Sequence, residues 1–150
     1  MANPFRILLV EDNPADADLV QEALLEAGMP GELKTVSDGA QALLYLRGAA
    51  PYAADPLPDL VLLDLNLPRV SGFKVLAQMK DDEALRRIPV VILSSSIDDS
   101  DVRKACDLHA NCYVSKPTDL VEFFGAMQRL QKFWIGTVIL PTEKRSNTKA

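Results

Sequence analysis

The chain has 150 residues, 48% of them hydrophobic and 25% charged, with a formal net charge of −5. This length and composition predict one globular domain with a single core, and the acidic balance argues against non-specific binding of nucleic acid, which requires a basic surface. Because no apolar run reaches about 18 residues and the amino terminus lacks the pattern of a signal peptide, we expect a cytoplasmic protein without a membrane span.

The first half of the chain alternates apolar runs of strand length with helical patterns. Residues 7–10 form the first run, and Asn13 is a candidate N-cap for the first helix, whose positive end favours Asp16. Residues 32–36 are a short strand candidate, and Asp38 precedes the second helical pattern. In that second helix the residues that we expect to face the core are Ala40, Leu43 and Leu44.

The second half repeats the alternation after a proline-rich segment. Residues 48–58 contain three prolines and one glycine, which predicts a loop. The strand candidates that follow are residues 60–63, 90–93 and 111–114. A helical pattern follows each of them, and Thr118 is the expected N-cap of the last helix. We expect Cys106, on the inner face of the fourth helix, and Cys112 to be reduced and mostly buried.

Strands and helices thus alternate through five β–α units. Strands joined by helices of about ten to fifteen residues predict parallel pairing with right-handed crossovers. The nearly continuous apolar character of the strands indicates burial on both faces of the sheet. We therefore predict an α/β fold, in which a five-stranded, doubly wound parallel sheet carries a short C-terminal extension.

Polar side chains follow four of the predicted strands at the point where each strand ends. In chain order they are Glu11, Asp12, Asp64, Ser94 and Lys116. The carboxyl ends of parallel strands meet at one edge of a sheet, where open α/β sheets place their binding sites. A single aspartate after a strand is usually a turn residue, but chance seldom places suitable groups at four strand ends. The set predicts a cation site beside a phosphorylatable aspartate.

Three carboxylates at one edge repel each other unless a cation lies between them, and Mg²⁺ prefers oxygen ligands of this kind. Asp12 and Asp64 are the candidate direct ligands, and Glu11 can bind directly or through water. The backbone carbonyl of Asn66 can complete the coordination shell. The sequence therefore predicts Mg²⁺ as the cofactor.

Asp64 can also act as a nucleophile toward a phosphoryl donor and form an aspartyl phosphate. The charge of the transferring group must be neutralised, and the ammonium of Lys116 is suited to this role beside Mg²⁺. Ser94 offers a hydroxyl that can donate to a phosphoryl oxygen. His109, at the end of a helix, is expected to be a surface or packing residue.

These motifs resemble the response-regulator receiver domains of bacterial two-component signalling. The matching stretches are ILLVEDN at 7–13, LVLLDLNLP at 60–68, SG at 71–72 and YVSKP at 113–117, together with Ser94. The likeness covers about residues 4–133 and implies a flavodoxin-like receiver fold. The roles that it implies are phosphoacceptor for Asp64, metal-site acids for Glu11 and Asp12, a metal-binding carbonyl for Asn66, phosphoryl contacts for Lys116 and Ser94, and an aromatic switch for Tyr113.

The resemblance implies a phosphorylation-activated switch rather than an enzyme. Such a protein accepts a phosphoryl group from a sensor histidine kinase, loses it slowly and signals by protein contact. Phosphate at Asp64 would draw Ser94 inward, and Tyr113 would fill the vacated space. The change would bias the face of the fourth helix, fifth strand and fifth helix between two existing states.

Two features depart from a minimal receiver domain. The loop at 48–58 is long, and an apolar segment at 133–141 continues past the last helix. Both resemble the small stand-alone regulators of bacterial and cyanobacterial phytochrome kinases, which makes a phytochrome the expected kinase partner. The extension, residues 134–150, is expected to pack on its own domain or to form a homodimer, and its last residues are expected to be disordered.

Two other functions use related folds or chemistry. A metal-dependent phosphohydrolase of the haloacid dehalogenase kind also forms an aspartyl phosphate, but its nucleophile follows the first strand, whereas Asp64 follows the third. A flavodoxin-like cofactor binder needs a phosphate-binding loop after the first strand, where Glu11 and Asp12 would repel phosphate. The phosphohydrolase therefore stays as the alternative, and the P-loop motif of nucleotide hydrolases is absent from the sequence.

Overall fold

The computed structural model of the protein describes residues 5–28, 31–95, 98–116 and 119–136. Five strands and five helices alternate through this part of the chain, as predicted. Their bounds are β1 Arg6–Val10, α1 Pro14–Glu26, β2 Glu32–Val36, α2 Gly39–Arg47, β3 Leu60–Leu63, α3 Gly72–Asp81, β4 Val90–Ser94, α4 Asp99–Asp107, β5 Cys112–Ser115 and α5 Leu120–Gly136. None of the helices within the described residues combines the length and apolar character needed to cross a membrane.

The five strands form one parallel sheet in the order β2-β1-β3-β4-β5, which confirms the predicted doubly wound fold. Side chains alternate between two cores along each strand. In β1, Leu8 and Val10 belong to the core that α2, α3 and α4 cover, whereas Ile7 and Leu9 belong to the core beneath α1 and α5. Because β1, β3 and β4 lie between the two cores, their carboxyl ends are held firmly at one edge of the sheet.

Side-chain caps begin the first and last helices at that same edge. Asn13 Oδ1 accepts two backbone N–H groups of α1, at 2.9 and 3.2 Å, as the sequence predicted. The predicted cap of the last helix, Thr118, lies outside the described residues. Asp119 Oδ1 accepts two N–H groups from the first turn of α5, at 2.8 and 3.3 Å. The caps satisfy donors that a helix cannot pair internally, and they fix where each helix leaves the sheet edge.

The inner face of α2 differs from the prediction. Leu43 is buried, but Ala40 is half-buried and Leu44 is 39% exposed. The buried side chains of this helix are Ala42, Leu43, Tyr45 and Leu46. The long loop before β3 contributes to the burial of Tyr45, because Tyr52 packs on it with ring centroids 5.4 Å apart.

The two cysteines lie closer to the surface than predicted. Cys106 is exposed and Cys112 is half-buried, and both are free thiols. Their position explains the error, because α4 and β5 lie at one end of the sheet, where fewer elements surround them. In α4 the buried residue is Ala105, one position before Cys106.

The last helix extends further than the predicted domain boundary at residue 133. It continues to Gly136, so the first residues of the predicted extension are helical. Trp134 packs against the core that α1 and α5 cover, whereas Phe133 is 52% exposed. The rest of the predicted extension, from residue 137 onward, lies outside the described residues.

Candidate functional site

The predicted acidic residues lie together at the carboxyl edge of the sheet. Glu11 directly follows β1, is 3% exposed, and donates its backbone N–H to Val36 O at 3.1 Å. Asp64 is buried directly after β3, whereas Asp12 is exposed. One carboxylate oxygen from each of the three lies within 4.8 Å of the others. The fold therefore brings together the carboxylates that the strand ends predicted.

Backbone contacts hold Asp64 and the turn that follows it. Its N–H donates to Val10 O at 3.1 Å, and its Oδ1 accepts the N–H of Asn66 at 3.1 Å. Gly72, the first residue of α3, lies against this strand end, and a Cβ there would be 2.2 Å from the carbonyl oxygen of Asp64. A larger residue at that position would push α3 away from the site. The turn places Asn66, whose carbonyl is a predicted metal ligand, beside the carboxylate.

Lys116 joins the acidic group from the end of β5. Its backbone N–H donates to Ser94 O at 2.8 Å, which fixes this strand end. Its Nζ donates to Glu11 Oε1 and to the Oδ2 atoms of Asp16 and Asp64, the last two at 3.2 Å. Only 12% of the lysine side chain is exposed. The ammonium is therefore enclosed by three carboxylates.

Asp16 is the member of this group that the sequence did not place in the site. The sequence indicates only a favourable charge near the start of α1, and Asp16 lies 100 positions from Lys116 along the chain. The available signal is topological: α1 starts at the carboxyl edge because β1 ends there. That signal does not say which side chain of the first turn points toward the site.

Burial and charge shift the pKa values of two central groups. Desolvation raises the pKa of Glu11 to about 7; the hydrogen bond from Lys116 opposes the rise and the charge of Asp64 adds to it. Desolvation alone would lower the pKa of Lys116, but its contacts with Glu11 and Asp64 outweigh burial and raise it. The lysine therefore remains charged.

The donor set fits a divalent cation. Three carboxylates contact the Lys116 ammonium, those of Glu11, Asp16 and Asp64, and Asp12 adds a fourth beside Glu11 and Asp64. One ammonium among four acidic groups leaves an excess of negative charge. Carboxylate oxygens are the ligands that hard cations such as Mg²⁺ prefer, and two carboxylates with a carbonyl leave room for water and phosphate oxygens. Of the described residues, those whose carboxylates can meet around one ion are Glu11, Asp12 and Asp64.

The two predicted switch residues lie on neighbouring strands. Ser94 is fully buried at the end of β4, and its register partner on β5 is Ser115, next to Lys116. Tyr113 lies two residues further back on β5, half-buried against the core that α2, α3 and α4 cover. His109 is exposed after α4, as expected, and does not face this edge of the sheet.

Comparison with known proteins identifies relatives over most of the chain. A family model described as the response regulator receiver domain matches residues 7–128, a range that includes every predicted site residue. Response regulator Rcp1 of Synechocystis sp. is 44% identical over 138 residues, which cover 92% of this chain and 94% of the relative. The probable methanogenesis regulatory protein FilR2 of Methanothrix harundinacea is 42% identical over 134 residues, 89% of this chain and 86% of the relative.

Solved structures show the same fold. The phosphorylated cyanobacterial phytochrome response regulator RcpA superposes with a TM-score of 0.89 at 48% identity, covering 94% of this chain and all of that one. The Mn²⁺-bound form of Rcp1 gives a TM-score of 0.88 at 44% identity and covers 93% of this chain and all of that one. The bacteriophytochrome response regulator RtBRR gives a TM-score of 0.75 at 38% identity and covers 95% of this chain and 82% of that one.

Proposed function

Because the chain belongs to the response regulator receiver family, we propose that Asp64 is the aspartate at which its receiver domain takes up a phosphoryl group. Receiver domains are signalling switches, and membership of this family does not support the alternative of a phosphohydrolase. The position of Asp64 carries the proposal. It directly follows β3, between the acidic pair that follows β1 and Ser94 at the end of β4, and it contacts the ammonium of Lys116.

The proposed reaction is phosphoryl transfer from a histidine of a sensor kinase. A carboxylate oxygen of Asp64 attacks phosphorus, the bond from phosphorus to the histidine nitrogen breaks, and its electron pair returns to the imidazole. Lys116 is held within 3.2 Å of Asp64 Oδ2, where its charge can offset that of the transferred group. The buried hydroxyl of Ser94 is proposed to donate to a phosphoryl oxygen once the group is in place.

Glu11, Asp12, Asp64 and the backbone carbonyl of Asn66 are the proposed ligands of Mg²⁺, which would neutralise charge on the phosphoryl group. The crystal structure of the relative Rcp1 with Mn²⁺ supports a divalent ion in this family. In this chain the support is the proximity of three carboxylates to each other. Lys116 offsets only part of their charge, so ion binding relieves their mutual repulsion.

The signalling change is proposed to run from Asp64 through Ser94 to Tyr113. Phosphorylation would draw the hydroxyl of Ser94 toward Asp64, and Tyr113 would turn into the space that the hydroxyl leaves. Tyr113 is half-buried on an edge strand and packs against the core that α2, α3 and α4 cover, so its movement can alter the face formed by α4, β5 and α5. The result is a population shift between two states of that face.

The proposed kinase partner is a phytochrome of the sensor histidine kinase class, and the proposed location is the cytoplasm. The support is the similarity to the phytochrome response regulator RcpA and the bacteriophytochrome response regulator RtBRR. Output would occur by protein contact, without direct binding of nucleic acid or membrane. We keep residues 4–133 as the receiver domain and 134–150 as its extension, although α5 crosses that boundary.

The assignment of Asp64 is tested by phosphorylation with acetyl phosphate and with a phosphorylated histidine kinase. We expect the parent protein to be labelled in Mg²⁺ and not in excess EDTA, and Asp64→Asn to take up no label. Asp59→Asn is the matched control, because Asp59 precedes the same strand at the opposite edge of the sheet. Persistent label in Asp64→Asn, or full labelling in EDTA, would refute the proposal.

The extension is proposed to form a homodimer, and the exposed side chain of Phe133, which directly precedes it, is proposed to join the contact. Truncation after Gly136 tests this better than truncation after Lys132, because α5 ends at Gly136 and Trp134 packs on its own domain. Light scattering is measured with and without phosphorylation. We expect a dimer for the full chain and a shift toward monomer for the truncated chain. A full chain that stays monomeric at all concentrations would rule out the homodimer.

A further inference from the structure

The surroundings of the Lys116 ammonium contain one group that the proposed reaction does not use. A lysine ammonium has three N–H donors, and those of Lys116 meet Glu11, Asp16 and Asp64. Glu11 and Asp64 come from strand ends. Asp16 comes from the first turn of α1, and 40% of its side chain is exposed.

We infer that Asp16 is a positioning residue for phosphoryl transfer, acting through Lys116. When Asp64 receives the phosphoryl group, one N–H of the ammonium turns from the carboxylate to a phosphoryl oxygen. Glu11 and Asp16 keep the other two, so the nitrogen stays where the new group forms. This inference rests on the proposed function, because it requires Asp64 to be the phosphoacceptor.

Two physical features make Asp16 suited to this role. Lysine carries its charge on a flexible four-carbon stem, so a single acceptor leaves the nitrogen free to swing, whereas two fixed acceptors restrict it. The backbone of Asp16 is fixed, because its N–H donates to the Asn13 cap at 3.2 Å in the first turn of α1. A carboxylate on a capped helix is a more rigid support than one on a loop.

The metal does not account for the position of Asp16. The carboxylates that can meet around one ion, within the part of the chain that the structure describes, are those of Glu11, Asp12 and Asp64. The contact of Asp16 is instead with the lysine, at 3.2 Å. Loss of Asp16 should therefore change phosphoryl transfer while Mg²⁺ affinity changes by less than about twofold.

A purely structural role would give a different result. An acidic residue in a first turn stabilises a helix slightly through the helix dipole, whatever its neighbours are. Such an effect would appear in the melting temperature and would be independent of Lys116. If Asp16 instead positions Lys116, loss of Asp16 slows phosphoryl transfer, and it does so only while Lys116 is present.

The first test measures the rate of labelling by acetyl phosphate at saturating Mg²⁺. We expect Asp16→Ala to react about fivefold more slowly than the parent, the size of effect of a partly exposed, charge-assisted hydrogen bond. Asp16→Asn keeps an acceptor oxygen and should recover part of the loss. The matched control is Asp18→Ala, an exposed aspartate of the same helix, which should react like the parent.

A double-mutant cycle decides whether Asp16 acts through the lysine. In a Lys116→Ala background, Asp16→Ala should cause no further loss of rate. A second readout needs no reaction: in metal-free protein labelled with ¹⁵N-lysine, the Lys116 ammonium should exchange its protons with water faster in Asp16→Ala than in the parent.

The measurements distinguish failure of the positioning role of Asp16 from failure of the proposed function. A rate in Asp16→Ala equal to or above that of the parent, or a loss that adds to that of Lys116→Ala, would overturn the positioning role. Unchanged exchange of the Lys116 ammonium would overturn it as well. If Asp64→Asn still takes up label, the proposed function fails; if only Asp16→Ala behaves like the parent, this inference alone fails.

Discussion

Two lysines at opposite edges of the sheet show how the same side chain is used in different ways. At the amino edge, Lys80 Nζ donates to the carbonyl oxygens of Arg86 and Ile88 and to Asn111 Oδ1, at 3.3, 3.4 and 3.2 Å. At the carboxyl edge, Lys116 Nζ donates to three carboxylates. Each ammonium has three oxygen partners, but only the second set carries charge.

The charge of the partners decides the direction of each pKa shift. Burial lowers the pKa of Lys80, and its neutral partners do not reverse the effect. Burial acts in the same direction on Lys116, but Glu11 and Asp64 outweigh it, and the pKa rises. Lys80 thus links α3 to the segments before β4 and β5 through uncharged partners, whereas charged partners are concentrated where phosphoryl chemistry is proposed.

The largest expected effect comes from removing the charged lysine. Lys116→Ala should reduce the rate of labelling by acetyl phosphate on the order of 10- to 100-fold, because its charge is aimed at the transferred group. Any phosphorylated protein that forms should lack the change at Tyr113, which NMR of labelled tyrosine can follow. If phosphorylated Lys116→Ala showed the same Tyr113 shift as the parent, the lysine would be only structural.

The next effect concerns the metal. Asp12→Ala should weaken Mg²⁺ binding by about tenfold, because it removes one of three clustered carboxylates. The metal-free protein should not lose stability, since the loss also removes repulsion. Titration calorimetry measures the affinity, with Asp18→Ala as the control of equal charge. An affinity that Asp12→Ala leaves unchanged would exclude Asp12 from the metal site.

A smaller effect is expected at the amino edge. Lys80→Met keeps the apolar stem but leaves the carbonyl oxygens of Arg86 and Ile88 without this donor, which should cost about 1 kcal/mol of unfolding free energy. Urea unfolding measures the cost. The rate of labelling should match that of the parent, and a large loss of rate would show that the two edges are coupled.

The sequence predicted the strand ends well because their position follows from simple rules. Apolar runs marked the strands, parallel order brought their ends to one edge, and Asp64, Ser94 and Lys116 had to lie there once the topology was known. What it could not predict depends on side-chain direction. Asp16 reaches Lys116 across the site, and Tyr45 packs against Tyr52 from the long loop. Neither contact leaves a local pattern in the sequence.

The smallest expected effect appears at alkaline pH, where the contributions of Lys80 and Lys116 to stability change with pH in opposite directions. Lys80 has a folded pKa below the ordinary value of 10.5, so the unfolded chain binds more protons between the two values, and the contribution of Lys80 to stability rises with pH through that window. Lys116 has a folded pKa above 10.5, so its contribution is complete below that value and is lost as pH rises beyond it.

Urea unfolding in EDTA from about pH 9 to about pH 11 can separate the two lysines, because an ordinary lysine titrates within this window. Relative to the parent, Lys80→Met should lack the rise in unfolding free energy that ends near pH 10.5. Lys116→Met should lack the decline in unfolding free energy that begins near that pH. The two difference curves should therefore have opposite slopes. Equal slopes would mean that the carboxylates do not outweigh the burial of Lys116, and that the contrast between the two edges of the sheet is one of position rather than of charge.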